Sequence, residues 1–366
     1  MTRAAPGENR PKPFKRIAVG IIGTGWCGGI RAHACAANPL VEGLYIAENK
    51  PARLAEIAAQ THPVKATEEW RELLDIKAID AVYISATPET VHYPMARDCL
   101  LAGKHVFLEK PIAMNLGEAD ELIALARRNQ LKFTIGYSQR FNPKQAYIKQ
   151  CVADGTLGEP VSAMVSRHLN RGLGDKINTR TRLSPAAMEA THDIDWVLWC
   201  LAPAKPVRVY CQSVSKVNRA RNNTPDCCWI TVTMDSGVIF TIGAGWILPP
   251  AYPNFSTTQI EFIGTEGALL IDDSHKDVAL MTMKNGLVYP LSTMPGESVG
   301  HVYAGPMERE TDHFAAAVAY DRPVLVSPEE ARQVMEVYVA ADLSAERNEP
   351  VSLPLREGDN RLAAGV

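Results

Sequence analysis

Fully apolar segments alternate with helical segments along the first 140 residues. Strands are predicted at Ile17–Ile22, Gly43–Ala47, Ala81–Ser85, His105–Leu108 and Lys132–Gly136. Helices are predicted between them at Gly28–Ala37, Pro51–Gln60, Trp70–Leu74, Tyr93–Ala102 and Gly117–Asn129. Apolar strands that alternate with helices are typical of a parallel sheet covered on both faces. The pattern therefore predicts a doubly wound α/β domain over residues 16–140.

The pattern changes after residue 140, where strands follow one another with few helices between them. Strands are predicted at Pro160–Leu169, Val207–Val217, Cys227–Met234, Val238–Gly245, Thr258–Gly264, Ala268–Asp272, Val278–Met283 and Pro350–Leu355. Helices are predicted at Ser184–Leu201, Arg309–Tyr320 and Pro328–Arg347. Turn signals such as Asp235-Ser-Gly and Lys284-Asn-Gly join several strands as hairpins. Residues 141–355 are therefore predicted to form an α+β domain on a large, mainly antiparallel sheet.

The two ends of the chain and its charge exclude several classes of protein. Residues 1–15 are expected to form a flexible arm, because they are rich in proline and basic residues, and residues 356–366 a tail. The formal net charge of −3 gives no overall attraction to nucleic acid or to an anionic membrane. No apolar segment reaches the roughly 18 residues of a membrane span, and the N-terminus lacks the apolar core of a secretory signal. A cytoplasmic location is the expectation.

The cysteine pattern does not indicate a metal site. Eight cysteines are scattered along the chain without a CxxC pair. Neither a zinc site nor a disulfide framework is therefore expected.

A glycine-rich loop follows the first predicted strand. The residues Gly23-Thr-Gly25-Trp-Cys-Gly28 fit the pattern G-x-G-x-x-G, which alone is a weak signal because glycines also end strands for steric reasons. Between a buried strand and a helix, backbone N–H groups and the positive helix end can face a pyrophosphate. A dinucleotide is therefore predicted to bind along Gly23, Thr24, Gly25, Trp26, Cys27 and Gly28.

An acidic residue stands at the position where such a site holds the ribose. Glu48 ends the second predicted strand, 20 residues after Gly28. A carboxylate there can accept hydrogen bonds from both ribose hydroxyls and repels a 2′-phosphate, which favours NAD over NADP. The nearby Lys50 keeps NADP as the weaker alternative, and a solvated loop residue is the alternative interpretation of Glu48.

Several further motifs occur in order along the chain. They are Ala86-Thr-Pro with His92, Ala102-Gly-Lys-His-Val with Glu109-Lys110-Pro111, Gly136-Tyr-Ser-Gln-Arg-Phe-Asn-Pro143, Gly155-Thr-Leu-Gly-Glu-Pro160, His192-Asp-Ile-Asp195, and Val326-Ser-Pro-Glu-Glu-Ala331 leading to Ser344-Ala. Together they resemble the glucose-fructose oxidoreductase / inositol 2-dehydrogenase / MocA (Gfo/Idh/MocA) family over nearly the whole ordered chain. The resemblance implies a Rossmann domain, an α+β domain whose open sheet joins chains into homodimers or homotetramers, and hydride transfer between a nicotinamide and a sugar or cyclitol alcohol.

The resemblance also implies which residues surround the reaction. Besides the glycine loop and Glu48, the cofactor is expected to contact Ala86, Thr87, Pro88, His92, Glu109, Lys110 and Arg140. Lys110 is the expected acid/base, at the carboxyl end of a predicted strand, where doubly wound sheets bind ligands. The alternative for Lys110 is an exposed turn residue, the commoner place for lysine. Thr87, Pro88 and His92 could likewise form only a strand-to-helix turn.

His192 matches the family histidine that hydrogen-bonds the reacting hydroxyl. On regular helical spacing it shares a face with Glu189 and Trp196. Many members carry an aspartate four residues before this histidine, and that position is Met188 here. Glu189 is a candidate to replace this aspartate as a third catalytic residue. The other interpretation of His192 is a packed core histidine.

The remaining candidate residues concern the substrate. Asn142 matches a position near the nicotinamide or the substrate, and it joins Lys110 and His192 in the expected substrate site. Arg167 and His168, with Arg171, could form a cationic pocket for an acidic substrate, or else one solvated strand edge.

These observations predict an NAD-dependent dehydrogenase of CH–OH groups that acts on a sugar, a cyclitol or a related cyclic diol. One alternative is a dihydrodiol dehydrogenase of aromatic degradation, which the basic segment around Arg167 could serve. A second is a sugar–sugar oxidoreductase that retains its nicotinamide beneath the proline-rich arm. A third is a dinucleotide-sensing regulator without catalysis, which the presence of Lys110 and His192 disfavours.

Overall fold

The computed structural model describes residues 14–178, 181–217, 224–252, 256–274, 280–288, 297–299, 302–356 and 358–359. The predicted N-terminal arm and the predicted C-terminal tail lie almost entirely outside the described residues. The predicted strand Val278–Met283 is described only from Leu280 onward.

The first domain is a six-stranded sheet in which every neighbouring pair of strands is parallel. Its strands are β1 (Ile17–Ile22), β2 (Val41–Ala47), β3 (Lys65–Thr67), β4 (Ile79–Ile84), β5 (His105–Leu108) and β6 (Phe133–Ile135), in the order β3-β2-β1-β4-β5-β6. Its helices are α1 (Trp26–Ala37), α2 (Pro51–Thr61), α3 (His92–Leu101) and α4 (Leu116–Arg128). The predicted doubly wound parallel sheet is confirmed.

Helices on both faces explain why these strands are apolar throughout. Val19 and Ile21 of β1 pack into one buried cluster, and Ile22 packs into another. The strand order reverses between β1 and β4, so the loops that follow these strands diverge and leave a crevice at their carboxyl ends. The glycine loop and the loops after β4 and β5 all begin at this edge.

The second domain is a seven-stranded mixed sheet in the order β12-β11-β7-β10-β9-β8-β17. Its strands and those of two small hairpins are β7 (Pro160–Asn170), β8 (Pro206–Val214), β9 (Cys227–Met234), β10 (Ile239–Leu248), β11 (Gln259–Gly264), β12 (Ala268–Asp272), β13 (Leu280–Thr282), β14 (Gly286–Val288), β15 (Glu297–Val299), β16 (Val302–Ala304) and β17 (Val351–Ser352). The pair β7 and β10 is parallel, and the other pairs in the sheet are antiparallel. The predicted mainly antiparallel sheet is confirmed.

Among the described residues, helices cover one face of this sheet and leave the other face open. The remaining helices are α5 (Pro143–Ala153), α6 (Arg171–Asn178), α7 (Thr191–Leu201), α8 (Pro306–Ala319) and α9 (Pro328–Arg347). Strand alternation places Val165 and Ile230 beneath the helices, whereas Met164 and Trp229 are exposed on the opposite face. In the described part of the chain, no helix combines the length and apolar content needed to cross a membrane.

Several elements differ from the sequence prediction. The predicted helix Ser184–Leu201 is divided into a π-helical turn, Ala186–Ala190, and α7. Strand β3 and helices α5 and α6 were not predicted, because β3 has only three residues, α5 lacks a clear apolar repeat, and α6 has only eight residues, two of which are glycine. The start of α5 nevertheless carries a local signal, since Asn142 caps it and Pro143 is its first residue.

Helix α8 crosses back to the first domain and covers one face of its sheet. Phe314 packs edge-on against Tyr83, at 5.3 Å between ring centroids, and against Phe107, at 5.8 Å. The first domain is therefore completed by a helix from the C-terminal part of the chain.

Candidate active site

The segment from the end of β1 to the first turn of α1 needs two of its glycines for its own shape. Gly23 has a φ of +80°, and a Cβ there would lie 2.7 Å from the Cα of Ala86. A Cβ on Gly28 would lie 1.9 Å from the carbonyl oxygen of Gly23. Neither position accepts a side chain, so these glycines serve the turn itself.

Internal packing does not explain the third glycine, Gly25. A Cβ there would meet no atom within 4 Å, so this point of the loop is open. Gly25 caps α1 without a side-chain hydrogen bond, and the first turn, with Trp26 and Cys27, carries no acidic residue. The N–H groups of this turn, left without a described side-chain acceptor, suit the pyrophosphate of a dinucleotide.

Glu48 follows β2 and contacts the glycine loop. Its Oε2 accepts hydrogen bonds from the backbone N–H of Thr24 at 2.7 Å and from the Thr24 hydroxyl at 2.9 Å. Its Oε1 accepts one from the backbone N–H of Lys50 at 3.1 Å. Glu48 is buried and is therefore not the solvated loop residue of the alternative interpretation. Because a carboxylate oxygen can accept two hydrogen bonds, Oε1 keeps capacity for a ribose hydroxyl.

The loop after β4 lies beside the glycine loop, with Ala86 against Gly23 and Thr87 and Pro88 following it. His92 is buried behind this loop. Its Nδ1 lies 2.8 Å from the carbonyl oxygen of Pro111, and its Nε2 lies 3.1 Å from that of Ala86. His92 thus joins the loops after β4 and β5. Both of its ring nitrogens are occupied by backbone carbonyls, and its expected contact with the cofactor stays a prediction.

Lys110 extends from the loop after β5 to the second domain. Its Nζ donates a hydrogen bond of 2.6 Å to the backbone carbonyl of Met188, and the Met188 sulfur lies 3.1 Å from the same nitrogen. The side chain is half-buried at the carboxyl edge of the parallel sheet. The structure therefore places the amine in the crevice and not in an exposed turn.

The side chains of Met188 and Glu189, both in the π-helical turn before α7, contact different parts of the structure. Met188 contacts Lys110, whereas Glu189 accepts a hydrogen bond of 2.9 Å from the indole N–H of Trp246 and pairs with Arg167 at 3.4 Å. A π-helical turn holds more residues than an α-helical turn, so the side chains after it are rotated about the helix axis. A prediction from regular helical spacing does not include this rotation. Glu189 therefore bonds to β7 and β10 and does not contact Lys110 or His192, contrary to its expected role.

His192 lies near Lys110 with one side of its ring buried. The ring is edge-on to Tyr137, at 6.1 Å between centroids, and the Tyr137 hydroxyl is 2.8 Å from that of Thr191. Burial lowers the pKa of His192 well below its ordinary value, and the charges of Lys110 and Arg167 add to this effect. Its Nδ1 is buried without a hydrogen-bond partner among the described residues. The imidazole is therefore neutral at neutral pH and can accept or donate a hydrogen bond.

Arg167 and His168 are neighbours in β7 and point to opposite faces of the sheet. Arg167 lies on the covered face, where its Nε donates to Asp193 at 2.7 Å. His168 lies on the open face, with its ring 5.7 Å from that of Trp229. Burial, followed by the charge of Arg167, lowers the pKa of His168 to about 4, so this imidazole is neutral at neutral pH.

The expected cationic pocket is therefore not formed. The charge of Arg167 is balanced by Asp193 and Glu189, and the Nε of Arg171 donates to the carbonyl oxygen of Ile247 at 3.0 Å. Two consecutive residues of a strand point to opposite faces and cannot line one pocket. Applied to the sequence, this rule could have excluded a shared pocket of Arg167 and His168.

Arg140 and Asn142 also have structural partners. Arg140 is buried and binds Asp195 through two parallel hydrogen bonds of 2.7 and 2.8 Å, with a further ion pair to Glu330 at 3.1 Å. This guanidinium anchors α7, and its expected contact with the cofactor stays a prediction. The side chain of Asn142 accepts a hydrogen bond from the N–H of Lys144 and caps α5, so its expected contact with a substrate is not formed by this oxygen.

Sequence reasoning missed the residues that hold Glu109. Its carboxylate accepts a hydrogen bond of 3.1 Å from the Nε of Arg31, and the Nη2 of the same arginine donates to Glu310 of α8. A lone arginine among small and apolar residues of a predicted helix indicates a buried partner, and this signal was available for Arg31. No local signal identifies Glu310. Within the described ranges, no three His, Cys, Asp or Glu side chains are grouped to hold a metal ion.

Two family models match the chain. The model of the Gfo/Idh/MocA oxidoreductase family, NAD-binding Rossmann fold, matches residues 17–137. The model of the C-terminal alpha/beta domain of the same oxidoreductase family matches residues 149–353. The resemblance inferred from the motifs is confirmed.

Individual relatives support the same assignment at low identity. An inositol 2-dehydrogenase of Rubrobacter xylanophilus is 25% identical over 258 residues, 70% of this chain and 72% of that protein. A UDP-N-acetylglucosamine 3-dehydrogenase of Acidithiobacillus ferrooxidans is 25% identical over 332 residues, 90% of this chain and 97% of that protein. The crystal structure of scyllo-inositol dehydrogenase from Lactobacillus casei, with NAD(H) and scyllo-inositol, has a TM-score of 0.79 at 22% identity and covers 92% of this chain and 99% of that chain. It shows the same fold.

The family models cover most of the chain, and the first of them describes an NAD-binding Rossmann fold. The chain belongs to the Gfo/Idh/MocA family of oxidoreductases, with NAD as its cofactor.

Proposed function

We propose that this protein oxidises a secondary alcohol of a cyclitol or a sugar, with Lys110 as the acid/base and His192 as its partner. The observation that carries the proposal is the position of the Lys110 amine. It lies at the carboxyl edge of the nucleotide-binding sheet, against the turn that precedes His192. Doubly wound sheets bind their ligands at this edge.

The cofactor site is formed by the glycine loop and its neighbours. Gly25 and the first turn of α1 would receive the pyrophosphate, Glu48 the adenosine ribose, and Ala86 with Thr87 and Pro88 would line the crevice next to Gly23. Bound there, the nicotinamide of NAD+ would supply the hydride-transfer chemistry. Glu48 favours NAD over NADP because its carboxylate repels a 2′-phosphate.

The protein's part in the reaction is to hold and move one proton. As the carbon of the alcohol loses a hydride, its hydroxyl loses a proton to the unprotonated amine of Lys110, and the alcohol becomes a ketone. The neutral imidazole of His192 donates or accepts a hydrogen bond at the same oxygen. In the reverse direction the ammonium of Lys110 returns the proton.

A neutral substrate is favoured over an acidic one. The charge of Arg167 is balanced by two carboxylates, and His168 lies on the other face of the sheet. The relatives named for inositol and for UDP-N-acetylglucosamine support cyclic polyols and sugars as the substrate class. Because the cationic segment was the reason to consider an aromatic dihydrodiol, this alternative loses its support.

The open face of the second sheet is proposed to bind a second copy of the chain. It exposes Met164, Tyr210, Trp229, Ile239 and Leu270. An apolar surface of this kind marks an interface. Light scattering during size-exclusion chromatography should show a homodimer or homotetramer that Trp229→Asp dissociates and that Val64→Asp, an exposed site in the first domain, leaves intact.

Initial rates of absorbance change at 340 nm test the proposed activity. Cyclitols, aldoses, uronates and dihydrodiols are supplied in turn, with NAD+ and NADP+ in separate reactions. Turnover of a cyclitol or an aldose with NAD+ is the expected result. Turnover of dihydrodiols alone, or no turnover despite NADH binding, would contradict the proposed substrate class. In the second case, absorbance near 340 nm in freshly purified protein would reveal a retained reduced nicotinamide, and its absence would favour a sensor.

A further inference from the structure

A buried cluster of charges lies behind the loop that carries Lys110. Arg31 of α1 has 1% of its side chain exposed. Its guanidinium donates to Glu109 at the end of β5, with Nε and Oε1 3.1 Å apart, to Glu310 of α8 at 2.8 Å, and to the hydroxyl of Thr311 at 2.9 Å. Three elements that are far apart in the sequence therefore meet on one cation.

Two carboxylates share this single guanidinium. The side chain of Glu310 is 2% exposed, and its Oε1 is buried without a hydrogen-bond partner in the described part of the chain. Burial raises the pKa of Glu310 to about 8; the charge of Glu109 adds to the rise and that of Arg31 opposes it. At neutral pH Glu310 therefore holds a proton, and the charges of Arg31 and Glu109 balance.

Other titratable groups also face this cluster. Cys27 belongs to the first turn of α1, and burial, with the charge of Glu109, raises its pKa to about 12, so it remains a thiol. Asp195 of α7 acts on Glu310 from a distance and is itself bound by Arg140. Lys110 contributes a positive charge near Cys27.

We propose that Glu310 is a positioning residue: by sharing Arg31 with Glu109, it sets the loop that carries Lys110 relative to helix α1. The proposal rests on the proposed role of Lys110 in the reaction. A neutral Glu310 leaves the guanidinium mainly to Glu109, which directly precedes Lys110. A charged Glu310 competes for the same guanidinium and releases Glu109, so the loop moves away from its active position.

The substitution Glu310→Gln tests this role because it keeps the shape of the neutral side chain and removes its ionisation. For the natural protein, kcat should fall by about tenfold between pH 7 and pH 9, because a small displacement of a catalytic group is costly. For Glu310→Gln, kcat should stay constant over this range, with an unchanged KM for the alcohol. The control is Glu308→Gln, on the same helix, which should keep the natural profile.

A second variant changes the protonation equilibrium of Glu310 through its neighbour Glu109. Glu109→Gln removes the negative charge that raises the pKa of Glu310. Because the variant also loses the bond that holds the Lys110 loop, the readout is the fall of Tm with rising pH, which should move to lower pH. An unmoved fall would assign the transition to another group and would overturn the proposal.

Two measurements do not need a substrate. A carboxyl group whose pKa is higher in the folded chain than in the unfolded chain contributes stability that is present at low pH and lost as the pH rises to the folded value. The Tm of the natural protein should thus fall relative to that of Glu310→Gln between pH 5 and pH 8. Since Arg31 belongs to α1, the Kd for NADH, measured by fluorescence, should also rise between pH 7 and pH 9 in the natural protein alone.

The outcomes distinguish a failure of the positioning role of Glu310 from a failure of the proposed dehydrogenase activity. Parallel kcat profiles of the natural protein and Glu310→Gln would overturn the positioning role. So would an equal loss of activity at every pH, which marks a purely structural residue. If no alcohol is oxidised, the proposed function fails, and a pH-independent Kd for NADH would then overturn the link between Glu310 and α1 separately.

Discussion

The amine of Lys110 donates a hydrogen bond of 2.6 Å to the backbone carbonyl of Met188, whose sulfur lies 3.1 Å from the same nitrogen. The lysine belongs to the nucleotide-binding domain and the methionine to the second domain. Both atoms that meet the amine are neutral. The catalytic candidate is thus held between the two domains without a carboxylate partner at this contact.

Lys110→Met should abolish most turnover and keep the cofactor site. Loss of a general acid/base costs about 10²–10⁴-fold in rate, and the glycine loop does not depend on this side chain. The measurement is kcat, with NADH affinity determined by fluorescence. Lys77→Met, at an exposed turn, is the control and should keep full activity. An unchanged kcat in Lys110→Met would remove Lys110 from the mechanism.

Gly25→Ala and Gly28→Ala should fail in different ways. A Cβ on Gly25 meets nothing within 4 Å, so this variant should fold normally and lose NADH affinity by about tenfold or more, since the methyl group lies where a pyrophosphate approaches. A Cβ on Gly28 would lie 1.9 Å from a carbonyl oxygen, so that variant should lose thermal stability. Tm and NADH Kd of both variants check the distinction. Normal NADH binding by Gly25→Ala would place the pyrophosphate elsewhere.

Met188→Asp should change the pH dependence of the reaction. A carboxylate beside the amine of Lys110 favours the charged form of the amine, so the rise of kcat/KM with pH should move about one unit or more to higher pH. Met188→Leu is the matched control, because it keeps the backbone carbonyl and adds no charge. The profiles of both variants are measured from pH 5 to pH 10 after circular dichroism confirms folding. Coincident profiles would show that this amine does not control the rate.

His168 should make the protein less stable in acid. Its pKa is about 4 in the folded chain, below the ordinary value of about 6.5, so the unfolded chain binds the proton more readily. The contribution of this neutral histidine is therefore fully present above about pH 6.5 and is lost as the pH falls toward 4.

Urea denaturation at pH 7 and pH 5 measures this contribution. The natural protein should lose up to about 2 kcal/mol more than His168→Gln over this interval. His33→Gln, on helix α1, serves as the control and should keep the natural pH dependence. An equal loss in the natural protein and His168→Gln would assign acid sensitivity to other groups.

Much of the first domain could be predicted because its signals are local. The apolar strands, the glycine loop between β1 and α1, and Glu48 after β2 are read from neighbouring residues and occupy the expected places. The position of Lys110 after β5 followed from the same strand pattern. Helix α5 and strand β3 lacked a comparable signal, because their apolar residues are few or irregularly spaced.

The sequence did not predict which groups the polar candidate residues bind. Regular helical spacing placed Glu189 beside His192, but a π-helical turn shifts the register and puts Met188 against Lys110. Arg140 was expected to contact the cofactor, and the sequence did not indicate that its guanidinium binds Asp195 and Glu330. In both cases, packing between elements that are distant in the sequence decided which polar groups are bound by the protein itself and which remain available to a ligand.

The sequence by itself determined the parallel sheet, the glycine loop and the family, because strand periodicity, turn chemistry and short motifs act over a few residues. Tertiary structure decided which charges balance one another. Arg31 and Glu310 are 279 positions apart in the chain and meet only because α8 returns to the first domain. A buried charge must find a partner when water is excluded, and which partner it finds depends on the packing of the whole fold.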